Sequence, residues 1–395
     1  MSRQFRSDDT DKWKYGFGTG SAGNGSINTS TDAPIDSACS GTSGTTSLTA
    51  TNASFATGQL ILIHQTRGTG AGNWELNKIA SYSAGTITTV HSLCNTYTNS
   101  GASVAQVLVM TEYNNLTINS GQTLTAKAWN GTVGGIIAKF VKGTVQGVTN
   151  SIINLNGNVG NANGNPGVGI GFQGGYGQQG QAWSYYGEGT SGASAQGSNA
   201  NANGNGGGAS KATSSSNAGD SGAGGGNGTS GANAVCTAGN CGIAGTGGST
   251  AGVAALTTMV FGGGASGGAN GASESNGAGG GSAGGGICLI IAKNIDLTYL
   301  TINNKGGDGE ASSWRRAGGG GGGSVLLKCQ TATLGTNKIV ATGGAGNGGG
   351  AGGAGRIHLD YKTSYTGTTN PTLDYTQDAT LDYPSAGGAF LYNLC

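Results

Sequence analysis

Between residues 46 and 130, apolar positions fall into short β-branched runs separated by turn residues: TSLTATNASF, GQLILIHQT, WELNKIASYS, GTITTVHSL, SVAQVLVMTEY and NLTINSGQTLTA. Runs of this length and spacing predict an all-β domain, a small barrel or sandwich. Within it, KIASYSAGTITTVHSL reads as a hairpin with Ala84 and Gly85 at the turn. From Gly134 a different pattern repeats: GGIIAKFVKGTVQGVTNSIINLNGNVG, GGGICLIIAKNIDLTYLTINNKGGDG, GGGSVLLKCQTATLGTNKIVATGGAG and GAGRIHLDYKTSYTG. Each copy opens with small residues, runs into an apolar strand, turns, and closes with a second apolar strand before another glycine tract. Such self-similarity predicts a parallel β-solenoid of about three to four turns, since one copy is too small to bury its own apolar face. Ile136, Leu289, Leu326 and Ile357 are expected to share one buried stack.

The chain then divides into an N-terminal arm (1–45), a small β domain (46–130), a first solenoid turn (131–156), a glycine-rich insertion (157–286), further turns with short glycine tracts (287–361) and a C-terminal cap (362–395). The arm carries one aromatic and charged cluster, DTDKWKYGF, and is read as an attachment element to virion or fibre proteins, with a frayed terminus as the alternative. The fold class is therefore all-β: a small N-terminal β domain followed by a parallel solenoid with a large insertion.

Composition decides what that insertion is. Glycine supplies 85 of 395 residues, yet no strict G-X-Y period is present, which excludes a collagen triple helix. Runs such as NGNGGGAS and GAGGGNGTSGANA predict bundled polyproline-II helices, in which the absent side chain permits close approach and backbone groups bond between neighbours. Ordering glycine is entropically costly, so the bundle depends on many such bonds and on the attached solenoid. Charged residues make up 9% and the net charge is +1, which excludes the basic footprint of a nucleic-acid binder. No stretch approaches the roughly 18 apolar residues of a membrane span, and the N-terminal segment has no signal-peptide core. An extracellular protein of a virion or cell surface is expected.

A glycine core has few side chains, so specificity is expected on its loops. The segment GIGFQGGYGQQGQAWSYYGEG supplies Phe172, Tyr176, Trp183, Tyr185 and Tyr186 as candidate ligand contacts, because such rings offer a flat apolar face and a polar edge. The alternative is that these rings plug the junction between solenoid and bundle. Trp314, Arg315 and Arg316 form a second candidate in a short tract, with a solvated loop as the alternative. The acids that could pair as in a solenoid glycanase, Asp308 with Glu310 and Asp374, Asp378 and Asp382, read as solvated loop acids. His64, His91 and His358 read as ordinary strand positions. No catalytic residue and no cofactor is expected. Among seven cysteines no CxxC and no zinc-like spacing occurs, so no metal is expected. Cys236 and Cys241 bracket TAGN as a local disulfide candidate, and Cys39 with Cys94 is a candidate staple of the N-terminal domain.

Two resemblances bear on function. GQLILIHQTRGTGAGNWELNKIASYSAGTITTVHSL and VLVMTEYNNLTINSGQTLTAKAWNGTVGGIIAKF, with the closing GGAGNGGGAGGAGRIHLDY, resemble the glycine-rich β-solenoid surface proteins of bacteria. The long glycine block resembles the distal adhesins of bacteriophage long tail fibres, whose glycine-rich helices display variable loops. The second resemblance implies a non-enzymatic adhesin of a tail fibre or virion, contacting a host cell-surface glycan or outer-membrane component. The alternative is a structural subunit of an extracellular fibre or surface layer, assembling as a homo-oligomer.

Overall fold

A computed structural model describes residues 18–179, 183–212, 219–235, 242–270, 278–310 and 316–381. Every regular element among them is a strand. Two short strands, β1 (Gly25–Ile27) and β2 (Ser30–Asp32), precede β3 (Asp36–Gly41), β4 (Ser47–Ala50), β5 (Leu60–Arg67), β6 (Trp74–Ser83), β7 (Thr86–Thr89) and β8 (Val104–Val109). Next come β9 (Thr111–Tyr113), β10 (Leu116–Ile118), β11 (Thr123–Ala126), β12 (Ile136–Gly147) and β13 (Ser151–Asn154). Three two-residue strands, β14 (Gln178–Gln179), β15 (Gly219–Asp220) and β16 (Ala269–Asn270), lie in the glycine-rich stretch. The chain closes with β17 (Ile287–Asp296), β18 (Leu300–Asn303), β19 (Ser324–Val340), β20 (Arg356–Asn370) and β21 (Asp374–Gln377).

Strands β3 to β8 form a closed antiparallel barrel. Its hairpin is the expected one: Ser83 pairs with Thr86, and Ala84 and Gly85 turn with φ of 45° and 84°. Positive φ at both central residues is the twist a two-residue hairpin requires. In β5 both faces are buried, which is why LILI is an unbroken apolar run. Ile61 and Ile63 point into the barrel with Leu48, Ile87 and Tyr97, whereas Leu60 and Leu62 point outward.

The second unit is a parallel sheet of twelve strands. Its order runs β1-β10-β12-β17-β19 and returns through β18-β13-β11-β2, so the sheet bends back on itself at β19 and nearly closes. Ile137, Val145, Ile153, Ile290, Ile302 and Leu327 fill the space between its two limbs. Both short strands of the expected arm belong to this sheet, β1 on β10 and β2 on β11. The copies of the repeat stack in parallel as expected, but the proposed single stack splits. Leu289 pairs directly with Leu326, and Ile136 lies on their face. Ile357 instead pairs with Val325 and enters the inner core. Successive strand residues face opposite ways, so a one-residue difference in register sends Ile357 to the other side.

The outer face of this sheet packs on the outer face of the barrel. Phe140, Ile287, Leu289, Ile291 and Leu326 meet Leu60, Leu62, Leu76, Val104 and Leu108 there. Above that seam lie the glycine tracts, whose backbone bonds run between segments with a period of three. Gly262, Ala265 and Gly268 donate to the carbonyls of Gly285, Ser282 and Gly279; Gly263 and Ser266 donate to Gly226 and Ala223; Gly264 and Gly267 donate to Glu188 and Tyr185. Each segment thus bonds to three neighbours in turn. The approach tolerates no side chain: a Cβ on Gly263 would stand 1.7 Å from the Asn205 carbonyl oxygen.

Candidate functional site

The aromatic segment of the glycine-rich stretch separates into two roles. Phe172 is fully buried and packs edge to face on Phe261 at 5.2 Å and on Trp129 at 6.4 Å. With Met259 and Leu256 these rings seal the junction between glycine tracts, barrel and sheet. Phe172 is therefore a packing residue and unavailable to a ligand, which corrects the sequence expectation for this ring.

Tyr176 stands in solvent and Tyr185 is half-buried beside it. Their rings meet edge to face at 5.3 Å, and Tyr176 is 47% exposed. The backbone sets this arrangement, because the Tyr185 N–H donates to the Tyr176 carbonyl at 3.1 Å. Ser184 between them is fully buried, and its N–H donates to the Ser210 carbonyl at 2.8 Å, which turns Trp183 and Tyr185 to one side. Trp183 is half-buried, and the ammonium of Lys211 lies 5.7 Å from its ring centroid. Lys211 is held in turn by paired backbone bonds with Ile243, both 2.9 Å. Tyr186 serves the scaffold: its hydroxyl accepts the N–H groups of Ser198 at 3.2 Å and Asn199 at 3.3 Å. The arrangement offers an aromatic pair, Tyr176 and Tyr185, and, two residues before Tyr185, a tryptophan with one cation over it.

The second candidate is only partly described, since Trp314 and Arg315 lie outside the described residues. Arg316 is exposed, its carbonyl accepts the Gly222 N–H at 2.8 Å, and its side chain lies against Gly348. No contact among the described residues joins it to the tyrosine platform. Asp308 Oδ1 accepts the Ala345 N–H at 2.8 Å, and Glu310 is buried. Asp378 Oδ1 accepts from the N–H and hydroxyl of Thr380 at 2.8 and 2.6 Å. Asp382 lies outside the described residues.

Sequence reasoning passed over three polar or aromatic groups. Glu188, 2% exposed, pairs with Arg67 at the end of β5 and accepts from the Trp129 indole at 2.9 Å and the Gln173 N–H at 3.0 Å. Burial pushes its carboxyl up, against the opposing pull of Arg67. On β20, His358 lies between Asp374 at 2.8 Å and Asp360 at 3.0 Å, and Lys328 pairs with Asp360 from β19. Burial alone would raise the Asp360 carboxyl, but Lys328 and the His358 hydrogen bond bring it down to about 2. Tyr361, Tyr365 and Tyr375 form a ring cluster on β20 and β21, with centroids 5.0 to 6.2 Å apart and Tyr375 53% exposed. Their only sequence signal is the spacing of tyrosines through the last copy and the cap.

The cysteines follow packing. Cys39 and Cys94 are not joined as the candidate staple; Cys39 points into the barrel core, and the Cys94 backbone N–H donates to Glu75 at 2.9 Å. Cys288 and Cys329 are buried in the parallel sheet, where burial pushes both thiols up to about 12. Cys236 and Cys241 lie outside the described residues. No group of three metal-ligating side chains occurs among the described residues. Among the described residues there is no helix long and apolar enough to cross a membrane.

No family model matches the sequence, and no curated protein is similar to it. Among solved structures the chain is similar to the Gp54 tailspike of Acinetobacter baumannii bacteriophage AP22, in complex with A. baumannii capsular saccharide. The two are 11% identical, the match covers 90% of this chain and 62% of the tailspike, and the TM-score is 0.19. The match thus spans less than two thirds of the tailspike. A likeness at this level carries no argument about fold or function.

Proposed function

We propose that this chain is a non-enzymatic extracellular adhesin of a phage fibre or virion, binding a host surface glycan or outer-membrane component through the Tyr176–Tyr185 platform. In this reading the stacked parallel strands are a β-solenoid and the glycine tracts are polyproline-II helices. The three-residue period of the inter-segment hydrogen bonds supports the latter, because that helix has three residues per turn and no internal bonds. One observation carries the functional reading: an exposed tyrosine, Tyr176, stacks edge to face on the half-buried Tyr185, with Trp183 two residues along the chain, on a backbone held by inter-segment hydrogen bonds. Rings held rigidly in solvent lose little entropy when a ligand stacks on them. The test is binding of the full chain to an array of bacterial surface glycans and to outer-membrane vesicles. Wild type is expected to bind one of them, and Tyr176→Ala with Tyr185→Ala to lose at least ten-fold in affinity with an unchanged melting temperature. Equal binding by the double variant would sink the platform.

The rival reading, a fibre subunit, is favoured by one feature. Strands β20 and β21 end the parallel sheet, and the Tyr361, Tyr365 and Tyr375 cluster lies on that open end. An unpaired edge is a template for pairing with another chain.

A further inference from the structure

We propose that the platform selects an acidic saccharide unit: Tyr176 and Tyr185 take the apolar face of the sugar ring, Lys211 meets its carboxylate, and Trp183 positions Lys211. This rests on the adhesin reading above and narrows it to a ligand class. The face of a tyrosine ring stacks on the apolar face of a neutral and of an acidic sugar alike. Lys211 breaks that equivalence. It comes from a stretch with very few charges, and the ion pairs of the described residues do not include it. Glu188, the buried acid of the same stretch, is already engaged by Arg67 and Trp129. The lysine is also fixed: Ile243 brackets its backbone with two hydrogen bonds of 2.9 Å, Trp183 bridges it from the other side, and its ammonium lies over the indole. An ammonium on a long flexible stem loses entropy when it is held in one place. Lys211 is held over Trp183, two residues along the chain from Tyr185, and a cation fixed there is useful when the ligand brings an anion, since a charge-assisted contact is about twice as strong as a neutral one. A ring face supplies hydrophobic contact and the cation supplies the discrimination.

The test uses the full chain and titration calorimetry with two acidic probes, oligogalacturonate and sialyllactose, each beside its carboxyl-reduced form. At least one acid is expected to bind ten-fold or more tighter than its reduced counterpart, with an affinity that falls as salt rises. Lys211→Gln is expected to erase that preference and leave the reduced sugar unaffected, while Lys211→Arg keeps it. Trp183→Ala is expected to shrink the preference, and Tyr185→Ala to weaken acid and neutral forms together. Equal binding of acid and reduced forms overturns the proposal, as does a preference that survives Lys211→Gln. If equal binding is lost in Tyr185→Ala, the adhesin reading stands and only the acid assignment falls; if Tyr185→Ala changes nothing, both fall. Failure of both acids to bind, with a neutral glycan bound on the same platform, also overturns it.

Discussion

His64 continues the outward row of β5 after Leu60 and Leu62 and is fully buried where barrel and glycine tracts meet. Its Nε2 lies 2.9 Å from the Met259 carbonyl and its Nδ1 3.1 Å from the Thr66 hydroxyl. Burial pushes the imidazole down from 6.5 to about 4, outweighing the opposite effect of the Met259 carbonyl. The unfolded chain takes up the proton first, so stability from His64 is present above pH 6.5 and is lost as pH falls toward 4. A shift of this size is worth about 3 kcal/mol. His64→Gln, which keeps a donor toward Met259, is therefore expected to narrow its stability gap to wild type by about that amount between pH 7 and pH 4 in urea unfolding. A gap independent of pH would contradict the assignment. The neighbouring Phe172 shows what single residues conceal. It and Tyr176 are both rings in one glycine-rich segment, and only the backbone bonds that orient the segment send one to the junction and the other to solvent. The Arg67–Glu188 pair was equally illegible, because it joins residues 121 positions apart. Glu188 announced itself only as a lone acid in a charge-poor stretch.

Among the elements, the barrel hairpin and the parallel stacking were readable because both depend on local chemistry. Ala84-Gly85 is a turn that the flanking strand twist demands, and each GG-apolar copy is a strand that needs a neighbour. Which apolar row meets which was not readable, since tract lengths between copies set the register; hence Ile357 joins the inner core and not the outer stack. The glycine tracts make the sharpest prediction at this scale. Gly263 has no room for a methyl group beside Asn205, whereas the nearest atom to a methyl on Gly192 is a side-chain oxygen at 3.6 Å. Gly263→Ala is expected to destabilise by about 1–3 kcal/mol through overpacking, and Gly192→Ala to change stability little. Denaturant midpoints of the two variants measured side by side decide it. Equal effects would mean that the tracts are not packed backbone to backbone.

At the scale of the whole molecule, the barrel, the parallel sheet and the glycine tracts share one seam, in which Phe140, Phe172, Phe261, Leu62 and Leu289 meet. The opposite functional reading uses other parts: β20, β21 and the Tyr361, Tyr365 and Tyr375 cluster at the end of the sheet. The two readings place different surfaces in solvent, and cryo-electron microscopy of the native assembly separates them most directly. The adhesin account predicts a chain at a free tip with Tyr176, Trp183 and Tyr185 facing outward. Filaments in which β21 of one copy packs on β1 or β2 of the next, with the platform buried, would contradict it.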